Sequence, residues 1–141
     1  MSEYQNLILV TINFLVPFLI GSLIFFSIVV APNVFISHDQ KYARKFIRSI
    51  FPKLYLWSFV ISIIITLLIF SHGIIYSVIF LIISSGFLFS RLFLVKWINE
   101  VSDLKQKTSK QIKKFNTLHS FSVLIFISQI ICMAIVYFKV Q

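Results

Sequence analysis

Polar and charged positions divide this chain into long apolar runs. No Asp, Glu, Lys or Arg occurs from Tyr4 to Ser37, from Leu54 to Ser90, or from Phe115 to Phe138. A helix rises about 1.5 Å per residue and needs about 20 residues to cross about 30 Å of hydrocarbon. The first and third runs each suit one crossing. The middle run is 37 residues long and would extend about 55 Å as a single helix, so it must fold back. Ser71-His72-Gly73 is the expected reversal, because Gly permits a tight turn and all three residues are small or polar. Four spans follow, at about 7–31, 52–70, 74–95 and 117–138, within one transmembrane domain covering 1–141. The predicted fold is an all-α integral membrane protein, an antiparallel four-helix transmembrane bundle.

Three prolines punctuate this pattern. Pro17 falls inside span one and is expected to kink it, Pro32 marks its end, and Pro52 suits the first turn of span two. The first run is read as a span and not as a cleaved signal peptide. Only Glu3 is charged ahead of it, and its length of about 25 residues exceeds the roughly 7–15 of a signal h-region.

Composition agrees. Hydrophobic residues make up 59% of the chain and charged residues 12%, with a mean hydropathy of +0.98. The net charge of +9 would point to nucleic acid in a soluble chain. Here its placement carries a different meaning. Lys41, Arg44, Lys45, Arg48 and Lys53 lie between spans one and two. Arg91, Lys96, Lys105, Lys107, Lys110, Lys113 and Lys114 lie at or beyond the end of span three. Only Lys139 falls on the other face. Cytoplasmic loops collect Lys and Arg, so both long loops are expected in the cytoplasm and both termini outside, with a bacterial inner membrane as the setting. The partners implied are the bilayer and its anionic headgroups, with a second copy or another membrane protein also open, and no nucleic acid. Cys132 is the only cysteine and cannot form an intrachain disulfide.

The two cytoplasmic segments have periodicity of their own. Ser37 followed by Gln40 reads as a capping box. Tyr42, Phe46 and Ile50 then recur every four residues, with Lys41, Arg44, Lys45 and Arg48 around them. This predicts a basic interfacial helix between spans one and two. In the second segment Val101, Leu104, Thr108, Ile112 and Phe115 keep helical spacing, as if span three continued and returned into span four.

Within the spans, small residues are expected to let helices approach. They are Gly21, Ser22 and Ser27 in span one, Ser58, Ser62 and Thr66 in span two, and Gly86 and Ser90 in span three. Asn13 and Gln129 are deep amides that need hydrogen-bond partners. Arg91, Asn116, His119 and Ser122 lie at one cytoplasmic depth and form the candidate polar cluster, for a ligand or for structure. No catalytic constellation emerges: there is no intramembrane carboxylate, HExxH, GxSxG or P-loop. No metal site and no cofactor are predicted, since His38, His72 and His119 lie at different depths.

Three blocks carry a resemblance. They are Gly21-Ser-Leu-Ile-Phe-Phe-Ser-Ile-Val-Val-Ala-Pro-Asn-Val-Phe35 with Ile50-Phe-Pro-Lys-Leu-Tyr55, then Ser90-Arg91, then Phe115-Asn-Thr-Leu-His119-Ser-Phe-Ser122. In this order they resemble the transmembrane-protein-205-like family, a four-helix membrane domain of unknown function. The resemblance implies roles for Arg91, His119 and Ser122. An Asn common one turn after that Ser in relatives is replaced here by Phe126 or its neighbours. The span-one segment is also distantly similar to membrane oxidoreductases of the copper-resistance D and protoporphyrinogen-oxidase J kind. Those place a His about three turns before the Gly, where Thr11 and its neighbours supply none.

The expected function is therefore a non-enzymatic transport-related, scaffold or accessory bundle. The alternatives are a haem- or metal-linked redox protein using His119, and a binder of an anionic lipid or amphiphile at the cytoplasmic end.

Overall fold

The computed structural model describes residues 3–104 and 108–141. Four helices dominate it: α1 (Glu3–Ser37), α2 (Gln40–His72), α3 (Ile74–Ser102) and α4 (Ser109–Val140). Each is long and apolar enough to cross a membrane, and the described residues include no strand. Each contains one of the expected spans and overruns it, most at the basic end of the bundle.

The helices are apolar on both sides. Ile12, Val16, Leu19 and Leu23 of α1 are fully buried, as are Ile65 and Ile69 of α2, Phe80 and Phe87 of α3, and Met133 of α4. Leu7, Phe14, Leu67, Ile82 and Leu124 are at least as apolar and point outward. A helix hydrophobic all round is what a large core or a bilayer accommodates.

Local chemistry sets the interruptions. Phe26–Val30 of α1 widens into a π-helical turn directly ahead of Pro32. Proline has no N–H and its ring crowds the carbonyl four residues back, a conflict that a wider turn relieves. The side chain of Asn33 then donates to the Val29 carbonyl at 2.7 Å. The α2–α3 reversal is a 3-10 turn at Phe70–His72 closed by Gly73, whose φ of 141° strongly favours glycine. A second π-helical turn, Ser90–Leu94, lies within α3. At α4 the N-terminus is held by a capping box, in which Thr108 Oγ1 accepts from the Gln111 N–H and Gln111 Oε1 accepts from the Thr108 N–H.

Two expectations at the basic end are corrected. Ser37 does not cap α2: it is the last residue of α1, and Asp39 precedes α2 without a side-chain cap bond. The basic stretch of Lys41, Arg44, Lys45 and Arg48 is not a separate interfacial helix. It forms the first turns of α2, which runs unbroken through Pro52. Proline costs that helix only its bond to the Arg48 carbonyl, and the stretch holds no other breaker. Lys105 and Lys107 lie outside the described residues.

Pairings between helices run in consistent registers. Along α2 and α3, Ser77 Oγ donates to the Thr66 carbonyl at 3.3 Å, Tyr55 and Phe87 rings are 6.5 Å apart, and Arg48 pairs with Asp103. Between α1 and α2, Phe18 meets Trp57 at 6.2 Å and Phe26 meets Phe51 at 5.4 Å. The last helix joins α3 through Gln129, and just past its end the side chain of Gln141 donates to Asn13 Oδ1 of α1.

Candidate functional site

Small residues close one half of the bundle. Ser58 and Ser62 of α2 and Ser84 of α3 have no exposed surface, and Ser90 has almost none. Each of Ser58, Ser62 and Ser84 donates to a carbonyl of its own helix, so the hydroxyl is satisfied without a partner across the interface. Thr66 does likewise to Ser62. Gly86 meets α4: a Cβ there would lie 2.6 Å from Gln129 Nε2. That amide donates to the Ile83 carbonyl at 2.9 Å, and its Oε1 is buried without a partner among the described residues. Not every small residue is so placed. Gly21 has open space where a Cβ would stand, Ser22 bonds back to Phe18, and Ser27 bonds back to Leu23 and faces a cavity.

That cavity occupies the other half. Its volume is about 820 Å³, within the range of about 300–1,000 Å³ for small-molecule sites. All four helices line it. Its inner end is apolar, formed by Ile24 and Ile28 of α1, Phe51 and Tyr55 of α2, Leu94 of α3, and Phe126 and Ile130 of α4. Its outer end, toward the basic ends of the helices, carries Arg44 and Arg48 of α2, Asn99 and Ser102 of α3, and His119 of α4. Both π-helical turns reach the cavity, through Ser27 and Ile28 and through Leu94. Such turns recur at functional sites because the extra residue re-aims side chains.

The candidate cluster is split by this geometry. His119 and Ser122 both line the cavity, with the His119 ring stacked on Phe115 at 6.1 Å and Ser122 Oγ donating to the His119 carbonyl at 2.8 Å. Asn116 lies instead in a shallow groove on the outside of α4, beside Lys113 and Thr117. Arg91 sits in the π-helical turn of α3, half-buried, away from the cavity. Sequence reasoning places Arg44 and Arg48 on an interfacial helix and not in a cavity wall, and it singles out neither Tyr55 nor Asn99 for a site. Arg44, Arg48, Phe51 and Tyr55 follow the spacing i, i+4, i+7, i+11. That is one helix face, legible once α2 is known to be continuous.

His38, His72 and His119 lie on different parts of the fold: between α1 and α2, at the α2–α3 turn, and on α4. Among the described residues no three His, Cys, Asp or Glu side chains converge. What the cavity offers is cationic donors over an apolar chamber.

No curated protein and no solved structure matches the chain. The model of a domain of unknown function, DUF4149, matches residues 14–107. The match takes in the cavity walls from α1, α2 and α3 and stops short of α4, with His119 and Ser122. Because it covers most of the sequence, the chain belongs to the DUF4149 family, a domain family of unknown function.

Proposed function

We propose that the protein is an integral multi-pass membrane protein that binds an anionic amphiphile, of the acidic-lipid class, in its four-helix cavity. The observation that carries this reading is the cavity's polarity. Arg44, Arg48 and His119 stand at its outer end, and Ile24, Leu94, Phe126 and Ile130 form its base. A phosphate or carboxylate head matches the guanidinium forks, and an acyl chain matches the base. The helix pairings described above, with residue numbers rising in one helix as they fall in the next, support an antiparallel bundle. The placement of twelve of thirteen basic residues supports cytoplasmic long loops, outward termini and a bacterial inner membrane as the setting. The transmembrane-protein-205-like blocks are compatible with this arrangement, and the role is that of a transport-related, scaffold or accessory bundle and not of an enzyme.

The test is lipid retention. Protein purified in non-ionic detergent is equilibrated with phosphatidylglycerol or phosphatidylcholine and examined by native mass spectrometry. Preferential retention of phosphatidylglycerol, weakened roughly tenfold or more in the Arg44→Ala/Arg48→Ala double variant, is expected, since one basic residue near anionic lipid contributes about 1 kcal/mol. Excess inorganic phosphate should not displace the lipid, because it cannot fill the apolar base. Equal retention of both lipids, or none of either, overturns the reading.

A further inference from the structure

Only four acidic residues occur in the chain: Glu3, Asp39, Glu100 and Asp103. Among the described residues one ion pair forms, and it lies at the outer end of the cavity: Arg48 Nη1 donates to Asp103 Oδ1. The two partners differ in setting. Arg48 stands in the cavity wall with its side chain 33% exposed, whereas Asp103 lies outside the wall, one residue past α3, with its side chain 60% exposed. Arg44, one turn earlier on α2, faces the same cavity with no ion-pair partner among the described residues.

We infer that Asp103 is a built-in competitor for the anionic head, holding Arg48 while the cavity is empty and giving it up when an amphiphile binds. The inference rests on the reading of the cavity proposed above. A half-buried guanidinium beside apolar surface needs a counter-ion, and in the empty cavity Asp103 supplies it. An arriving phosphate or carboxylate brings its own negative charge to Arg44 and Arg48. Two anions within a few ångströms repel where water is partly excluded, so the head and Asp103 cannot both be close to Arg48 at full strength. Asp103 therefore lowers the affinity for the ligand, and the ligand loosens a tie between the start of α2 and the end of α3. The coupling is reciprocal, as any linkage between two binding equilibria must be.

The experiment compares wild type with Asp103→Asn, using phosphatidylglycerol and phosphatidylcholine in non-ionic detergent micelles. Asp103→Asn is expected to bind phosphatidylglycerol roughly five- to tenfold more tightly, the lower part of the usual range for coupling between sites, with phosphatidylcholine unchanged. Asp103→Glu, which keeps the charge, should stay close to wild type. A second measurement needs no variant. Saturating wild type with phosphatidylglycerol should speed hydrogen exchange at the Asp103 amide, which donates to the Asn99 carbonyl at 2.9 Å, whereas phosphatidylcholine should not. If wild type retains phosphatidylglycerol but Asp103→Asn binds it no better and exchange at Asp103 is unmoved, the competitor role is overturned and the cavity reading stands. If neither protein retains phosphatidylglycerol, the cavity reading falls and this inference with it.

Discussion

Toward the Gly73 turn, α2 and α3 come together on serines and α4 meets Gly86; toward the basic ends, the four helices surround about 820 Å³ of space. Lipid tails are as apolar as leucine, so burial of apolar surface cannot drive one helix onto another in a bilayer. Association depends on close packing and on polar contacts between helices. At Ser58, Ser62, Ser84 and Gly86 the side chains are small enough for close packing, and Gln129 adds a bond from α4 to the Ile83 carbonyl. Beyond that level bulky side chains face inward, Phe51 and Tyr55 on α2 and Phe115 and Phe126 on α4, beside small ones such as Ser27 and Ser122. The π-helical turns at Phe26–Val30 and Ser90–Leu94 fall on this side too. One half of the molecule is thus closed where small side chains meet, and the other encloses a cavity with basic groups at its outer end.

The sharpest way to break this contrast is at Gly86. A leucine there must displace Gln129, whose Nε2 lies 2.6 Å from where the Cβ would be. The amide would lose its bond to Ile83 while its Oε1 is already unpartnered. Overpacking and a second orphaned polar atom together should cost about 3 kcal/mol. Thermal unfolding in detergent checks this, and a Gly86→Leu protein as stable as wild type would remove the case for a tightly closed half.

Gly73→Ala acts on the same half at its turn. The φ of 141° strains any residue with a Cβ, and the added carbon would lie 3.4 Å from the Tyr76 ring. A loss of about 1–2 kcal/mol is expected, again from unfolding curves, with lipid retention unchanged because the cavity lies at the other end. A change in lipid binding without a change in stability would show that the two halves are not independent.

Ser122→Phe probes the open half. Ser122 lines the cavity, and its hydroxyl bonds only to its own helix. The ring should enter existing space, leaving stability within about 0.5 kcal/mol of wild type, while retention of phosphatidylglycerol falls several-fold. A large loss of stability would mean that the cavity is packed more tightly than its volume implies.

The sequence shows some of this two-part design and hides the rest for physical reasons. The reversal at Ser71–Gly73 was legible because a 37-residue uncharged run cannot be one span and because one residue there is a glycine. The continuity of α2 was not. Pro52 looks like a helix start, yet a proline removes one donor without ending a helix that is held by its neighbours. Arg91 and Asn116 share a depth with His119, but depth along a helix does not say which way a side chain points, and neither lines the cavity that His119 lines. The pairing of Arg48 with Asp103, 55 positions later, depends on where α2 and α3 end in space. His119 and Ser122 were found because they share a face one turn apart on a single helix, which periodicity does reveal.

Gly21 gives the smallest effect and the cleanest comparison with Gly86. In sequence the two are equivalent, each a small residue in an apolar span with serines near it. In the structure nothing beyond its own stretch of helix lies within 4 Å of a Cβ built on Gly21. The position is exposed and has room for a Cβ, and a leucine removes the backbone freedom that makes glycine a poor helix residue, so Gly21→Leu should raise stability by up to about 1 kcal/mol. The same substitution thus has opposite signs at two positions that differ only in what stands opposite them. If Gly21→Leu instead lowers stability as Gly86→Leu does, something covers that face of α1. A fall that grows as the protein is diluted would identify it as a second copy of the chain, because only a bound partner makes stability depend on concentration.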